Sequence, residues 1–113
     1  MNPKPTIDPA DFAACDLRVG TVQSAELLDG ARRPAYVLQV DFGPMGVLKS
    51  TAQLVGDYST DELEGKQVVA LVNVPPKQVG RHMSCCLVLG AVRGEHVSLL
   101  EVPVPVPPGT PIA

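Results

Sequence analysis

The stretch GVLKSTAQLVGDYSTDELEGKQVVALVNV, residues 46–74, sets the topology expected for this chain. Residues 46–55 are expected to form a strand, and the nearly continuous apolar run 66–74 is typical of a strand buried on both faces. Between them, Ser59 and Glu62 stand at capping-box spacing, and the glycine that follows can end a helical turn. The stretch therefore predicts a strand, a single helical turn and a second strand.

Two further strands are expected before this stretch. One is DLRVGTVQSAEL, residues 16–27, which is followed by an Asp-Gly turn signal at 29–30. The other is YVLQVDFG, residues 36–43, where apolar and polar side chains alternate with the period of a strand. Its inner face would carry Tyr36, Leu38, Val40 and Phe42. This alternation indicates a strand with one buried face.

Both ends of the chain are rich in proline. Residues 1–10 are expected to form an extended arm, and Asp8 followed by Pro9 suits the start of a short helix over 9–16. The tail, residues 103–113, is too rich in proline for a central strand. It is expected either as an edge segment or as an extended arm on the body of the domain.

The segments after the central stretch complete a small barrel. Residues 85–92 and 97–102 are expected strands, and residues 75–84, PPKQVGRHMS, are expected to form a loop. Five or six short strands with a helical turn between the third and the fourth match a five-stranded Greek-key barrel of the OB type. We therefore predict an all-β OB-type barrel with short helical segments over residues 11–113, with extended arms. An SH3-like barrel is the main structural alternative.

Composition excludes several classes of protein. A length of 113 residues indicates one domain. No run of about 18 apolar residues occurs, so we expect no membrane insertion. Residues 1–12 lack the apolar stretch of a secretory signal, so a cytoplasmic location is expected. Three cysteines, an odd number, argue against a secreted disulfide framework.

The adjacent Cys85 and Cys86 raise the possibility of a thiol or metal enzyme. His82 and Cys15 could add donors, but adjacent cysteines do not have the usual spacing of metal ligands. In a strand, one of the two would face the core and the other would face away. The pattern favours a structural role for both cysteines, as small apolar residues of a strand. We therefore expect no bound metal, no cofactor and no catalysis.

Basic residues cluster in two expected loops although the net charge is −3. Loop 30–35 contains Arg32 and Arg33, and loop 75–84 contains Lys77 and Arg81. On an OB barrel these two loops flank the ligand face, so the pattern predicts a groove for a phosphate backbone. The alternative is that these cations are ordinary solvated loop residues.

At these residues the sequence resembles the tRNA-binding-domain family of OB folds, and within it the stand-alone CsaA-type branch. The similarity covers about residues 11–113 and is carried by five motifs: DLRVGTV (16–22), YVLQVDFG (36–43), LKSTAQLVGDY (48–58), GKQVVALVNVPPKQVGRHMSCCLVLGA (65–91) and VSLLEVPVPVPPGT (97–110). Synthetase-type domains typically have Ser-Gly where this chain has Ser50-Thr51, which favours the CsaA-type branch.

The resemblance implies a non-catalytic homodimer that binds tRNA and also unfolded or precursor polypeptides, as a chaperone related to protein export. The residues that match the family's nucleic-acid face are Lys49, Asn73, Lys77, Arg81 and Ser84, with Arg18, Arg32 and Arg33 as weaker additions. Candidates for an apolar peptide groove are Phe12, Met45, Val47 and Met83. The alternative functions are a dedicated tRNA-binding protein that assists aminoacyl-tRNA synthetases in trans, and a thiol or metal enzyme.

Overall fold

A computed structural model describes residues 2–30 and 32–113. Met1 of the predicted arm and Ala31 of the predicted loop 30–35 lie outside the described residues. Strands dominate. The strands are β1 (Leu17–Leu27), β2 (Tyr36–Asp41), β3 (Val47–Ala52), β4 (Gln67–Leu71), β5 (Lys77–Val79), β6 (His82–Ser84), β7 (Leu87–Val88), β8 (Gly90–Arg93), β9 (His96–Leu99) and β10 (Pro111–Ile112). The helices are α1 (Pro9–Ala13) and α2 (Thr60–Leu63), with a 3₁₀ turn over Gly43–Met45.

The main sheet is antiparallel, in the order β3-β2-β1-β4-β7, and it curls into a nearly closed barrel. Contacts between β3 and the residues just before β7 bring its edges together. The backbone N–H of Cys85 donates to the carbonyl of Lys49 at 2.8 Å, and the Ser50 hydroxyl donates to the carbonyl of Cys86 at 3.0 Å. With α2 between β3 and β4, this architecture confirms the predicted all-β OB-type barrel.

The barrel interior follows the alternation expected for residues 36–43. The four residues assigned to the inner face are all buried: Tyr36, Leu38, Val40 and Phe42. Val37 is buried as well, although its side chain points to the opposite face of β2. It packs in a second, smaller core with Leu28, Ala35 and the half-buried Val79. The strand β5 therefore covers part of the outer face of β2.

Both predicted helix starts are present. The Ser59 hydroxyl accepts from the backbone N–H of Glu62 at 3.2 Å, and the Glu62 carboxylate accepts from the N–H of Ser59 at 3.0 Å. These two bonds to Ser59 hold the pKa of Glu62 below its usual value. At the other start the Asp11 carboxylate accepts from the Asp8 N–H at 3.1 Å. Helix α1 ends at Ala13, before the predicted limit of 16.

The prediction of a loop over residues 75–84 is wrong. These residues contain the β5–β6 hairpin, in which Val79 pairs with His82. Gly80 has φ 59°, so the chain reverses in two residues, a turn that favours glycine at its first position. The expected strand 85–92 is also interrupted. β7 pairs with β4, whereas β8 pairs with β9.

The proline-rich tail is an edge segment, one of the two predicted possibilities. Its β10 pairs with the first residues of β1, so that Leu17 faces Ile112. The N–H of Gly109 donates to the carbonyl of Val19 at 2.7 Å, and the N–H of Val19 donates to the carbonyl of Thr110 at 2.9 Å. The tail thus continues the sheet beside β1. Within the described residues, neither helix is long and apolar enough to cross a membrane.

Candidate nucleic-acid interface

An open cleft of about 660 Å³ lies between the loop after β1, the end of β3 and the β5–β6 hairpin. We call it the cationic cleft. Its basic lining residues are Arg32, Arg33 and Lys77, and its polar lining residues are Thr51 and Gln53. No acidic residue lines it among the described residues. The structure therefore brings together three of the eight residues predicted for nucleic-acid binding.

The second core holds the walls of this cleft in place. Leu28 and Ala35, at the two ends of the loop after β1, are buried against Val37 and the half-buried Val79 of β5. Burying such side chains stabilises the docking of the hairpin by about 25 cal/mol for each Å² of apolar surface removed from water. The two ends of the loop are thereby held against the hairpin, while the exposed Arg32, Arg33 and Lys77 reach into solvent.

The positive charge of the cleft has no ion-pair partner among the described residues. Among the ion pairs that the described residues form, none includes Arg32, Arg33 or Lys77. Two further predicted cations lie nearby in the chain. Arg81 is exposed at the tip of the hairpin, and Lys49 lies on β3 two residues before Thr51, on the same face of the strand. The arrangement presents positive charge on a concave surface, which attracts a polyanion.

The remaining three predicted residues have partners inside the protein. Arg18 pairs with Asp16 at 2.6 Å and also donates to the carbonyl of Gly109 at 3.1 Å. The Asn73 side chain accepts from the N–H of Asp16 at 2.9 Å and donates to the carbonyl of Ala14 at 2.7 Å.

Ser84 is buried, and its hydroxyl accepts from the N–H of Thr51 at 3.1 Å. This bond lies at the seam between β3 and the β5–β6 hairpin, so the Ser84 hydroxyl has a structural partner. The long-range contacts of Arg18, Asn73 and Ser84 carry no signal in the local sequence.

The four predicted peptide-binding residues are all partly exposed: Phe12 by 50%, Met45 by 43%, Val47 by 44% and Met83 by 44%. They lie on different elements, and none of them lines a cleft of the described residues. The structure instead contains an apolar cleft of about 400 Å³ that sequence reasoning missed. Its exposed lining residues include Leu87 and Val92. Leu87 and Val92 belong to different short strands, so no single periodic pattern in the sequence indicates the cleft.

The three cysteines are free thiols that differ in burial. Cys86 is buried, and burial raises the pKa of its thiol to about 11, which keeps the thiol protonated at neutral pH. Cys85 is half-buried and Cys15 is exposed. Over residues 2–30 and 32–113, no group of three His, Cys, Asp or Glu side chains could hold a metal ion.

An exposed ion pair fastens the β8–β9 hairpin. Nδ1 of His96 lies 2.9 Å from one oxygen of Asp57, and the other oxygen accepts from the N–H of Val97 at 2.9 Å. The bond to Asp57 raises the pKa of His96. The Asp57 pKa is lowered, first by the Val97 N–H and then by His96. The pair lies beside Val97, which lines the apolar cleft.

Comparison with known proteins gives a consistent result. Residues 17–111 match the model of the family described as "putative tRNA binding domain". A solved chaperone CsaA from Bacillus anthracis is 43% identical, with a TM-score of 0.92 over 96% of this chain and 100% of that chain. A CsaA chaperone protein from Picrophilus torridus is 40% identical, with a TM-score of 0.89 over the same shares of the two chains.

A curated relative is the methionine–tRNA ligase of Methanoculleus marisnigri, 36% identical over 110 residues, which are 96% of this chain and 16% of the ligase. The chain spans between 12% and 16% of the length of such ligases. The similarity therefore concerns one domain of these enzymes.

Proposed function

Because the chain belongs to the putative tRNA-binding-domain family, we propose that it is a non-catalytic protein that binds tRNA through the phosphate backbone in the cationic cleft. The observation that supports this most directly is the lining of the cleft, in which Arg32, Arg33 and Lys77 converge without an acidic residue among the described residues. Ion pairing with phosphates releases counterions, which is the main source of affinity for nucleic-acid backbones.

The cleft should recognise shape and charge more than sequence. No aromatic side chain lines its described part, so stacking of bases on aromatic rings is not available there. Arginine forks and a lysine ammonium are suited to phosphate oxygens, which carry no base information. We therefore expect affinity for tRNA to fall steeply as salt is added.

The test is tRNA binding by fluorescence anisotropy, titrated from low to physiological salt, with an Arg32→Ala/Lys77→Ala variant. The matched control is Lys4→Ala/Arg93→Ala, which removes the same charges from exposed positions outside the cleft. We expect the cleft variant to lose at least about tenfold in affinity, and the slope of log affinity against log salt to fall by about two.

The control should change affinity by less than about threefold, since it removes only long-range attraction. Equal losses in the two variants would show that bulk charge, not the cleft, attracts tRNA. Absence of tRNA binding at low salt would contradict the proposal outright.

A second candidate function is a chaperone for unfolded or precursor polypeptides, related to protein export. It is supported by the 43% identity to a protein described as a chaperone, over 96% of this chain. Exposed apolar side chains add to this support, in particular Met45, Val47 and Met83, because methionine adapts to varied partners. Such a surface would bind extended chains by burying their apolar side chains.

Suppression of aggregation of a chemically denatured client protein tests this second function. Val47→Ser/Met83→Ser should weaken the protection, whereas Arg32→Ala/Lys77→Ala should leave it intact. If the charge variant loses protection and the apolar variant keeps it, then charge dominates client binding and the apolar surface is not the site.

For the assembly we propose a homodimer in which the two terminal segments contribute to the interface. Ile7, Phe12 and Val104 are 63%, 50% and 69% exposed, so both terminal segments present apolar side chains to solvent. Sedimentation velocity should give the mass of a dimer, and Phe12→Ser/Val104→Ser should shift it toward the monomer. A monomer at all concentrations would contradict this assembly.

A further inference from the structure

The apolar cleft and the cationic cleft share one wall. Both are lined by the consecutive residues Thr51, Ala52 and Gln53 at the end of β3. On one side of this wall lie three cations, and on the other side lie Leu87, Val92 and other aliphatic side chains. A ligand that extends over Thr51, Ala52 and Gln53 therefore contacts positive charge on one side and an uncharged aliphatic surface on the other.

The apolar cleft can accept an uncharged, flat or aliphatic group. Its volume of about 400 Å³ lies within the roughly 300–1,000 Å³ typical of small-ligand sites. No charged side chain lines its described part, so a phosphate placed there would lose its hydration without compensation. Leu87 and Val92 are 51% and 75% exposed, which leaves apolar surface uncovered at the mouth.

We infer that the apolar cleft holds an unpaired nucleobase of an RNA strand whose phosphates lie in the adjacent cationic cleft. The inference rests on the proposed function and specifies its ligand as a single-stranded or looped segment rather than a duplex. A nucleotide joins an anionic phosphate to an uncharged aromatic base, which is the pair of chemistries that the two sides of the wall present. A base in a duplex is stacked and paired, so it cannot enter the cleft.

The shared wall also offers hydrogen bonds to a base edge. The Gln53 side chain is exposed and carries both an amide donor and a carbonyl acceptor, and the Thr51 hydroxyl can act in either role. Within the described residues, neither side chain has a hydrogen-bond partner in the protein. These two groups can therefore orient a base that the aliphatic walls exclude from water.

The experiment compares three ligands in fluorescence anisotropy at one salt concentration. The first is a single-stranded RNA of about ten nucleotides, within the length that one OB fold contacts. The second is the same strand with abasic nucleotides at its centre, and the third is a duplex of equal length. We expect the intact strand to bind about tenfold more tightly than the abasic strand, because an enclosed base removes apolar surface of the cleft from water.

Variants on each side of the wall identify the cleft. Leu87→Ser should remove most of the difference between the intact and abasic strands, whereas Leu27→Ser should preserve it. Leu27 is a matched control because it is 60% exposed and lies outside both clefts. Val92→Ser, at a position 75% exposed, should also remove much of this difference, against the same Leu27→Ser control.

The outcomes separate this inference from the proposed function. If no RNA or tRNA binds, both fail. If tRNA binds and depends on Arg32 and Lys77, but the abasic strand binds as tightly as the intact one, the inference alone is overturned. If Leu87→Ser weakens an apolar peptide and leaves RNA unchanged, the cleft belongs to a polypeptide and the inference is again overturned.

Discussion

Arg32 and Lys77 reach into the cationic cleft without a carboxylate partner among the described residues, whereas Arg18 is bound on two sides of its guanidinium. The residue types are alike and both regions were predicted to contact nucleic acid. They differ in what the backbone around them provides. The loops at the cleft expose their cations beside buried apolar side chains. By contrast, Asp16 and the carbonyl of Gly109 accept hydrogen bonds from Arg18.

We call the second region the anchor, formed by Asp16, Arg18, Asn73 and Gly109. Its bonds join the start of β1 to the tail and to the segment after β4. The comparison indicates that cations with internal partners stabilise the fold, while cations without them are available to a ligand. Four changes test this division.

The largest effect is expected at Gly109. Its φ is 91°, and a side chain there would overlap the carbonyl oxygen of Phe42, whose backbone cannot move without disturbing the barrel. We expect Gly109→Ala to lower the free energy of unfolding by roughly 3 kcal/mol, through strain and loss of the adjacent bonds to β1. Urea denaturation followed by circular dichroism measures it.

Gly94→Ala is the control for this change, because Gly94 also has a positive φ, 61°, but nothing lies within 4 Å of an added Cβ atom. It should cost only about 1 kcal/mol. Similar losses in the two variants would mean that backbone conformation alone matters and that the tail does not press on Phe42.

A smaller loss is expected at Asn73, whose amide bonds to the backbone of Ala14 and Asp16. Asn73→Ala should destabilise the protein by about 1–2 kcal/mol, because two hydrogen bonds are removed at an exposed site. Asn73→Asp keeps the acceptor but sets a carboxylate oxygen against the carbonyl of Ala14, so it should lose at least as much. Both variants should retain the tRNA affinity of the wild type in the anisotropy titration. A loss of affinity without a loss of stability would mean that Asn73 contacts tRNA.

Arg18→Gln is the sharpest comparison with the cleft, since it removes one cation from the anchor. The pair with Asp16 is partly exposed, so we expect a loss of only about 0.5–1 kcal/mol in stability. The affinity for tRNA should change by less than about threefold, against tenfold or more for Arg32→Ala/Lys77→Ala. A tenfold loss with Arg18→Gln would erase the division between the two regions.

The barrel could be predicted from sequence because its signals are local. Alternation placed Tyr36, Leu38, Val40 and Phe42 inside, and the capping box at Ser59 placed α2 between β3 and β4. Each signal lies within a few residues of the feature that it specifies. The helix position then selected the OB order from among small barrels.

The anchor and the apolar cleft could not be predicted in this way, because they depend on contacts between distant segments. Asn73 meets Asp16 across 57 residues, and Arg18 meets Gly109 across 91. The burial of Val37 depends on Val79, which docks only because residues 77–84 form a hairpin. A positive charge in a loop thus indicates a candidate ligand site, but only the fold shows whether a partner already occupies it.

The Asp57–His96 pair is intermediate between the two regions, since it has a partner but remains exposed, and the smallest effect is expected there. The His96 pKa is raised in the folded state, so its stabilising contribution is complete below the unfolded value of 6.5 and is lost as the pH rises through the folded value. The Asp57 pKa is lowered, so its contribution is present above 3.8 and is lost as the pH falls through the folded value.

The pair should therefore stabilise the protein most between pH 3.8 and pH 6.5, the unfolded pKa values of Asp57 and His96. The melting temperature of the wild type should exceed that of His96→Gln by more at roughly pH 5.5 than at roughly pH 8.5. An advantage of the same size at both pH values would mean that His96 contributes by packing or neutral hydrogen bonding. Because Val97 keeps its bond to Asp57 at either pH, the hairpin should stay docked and only its margin of stability should change.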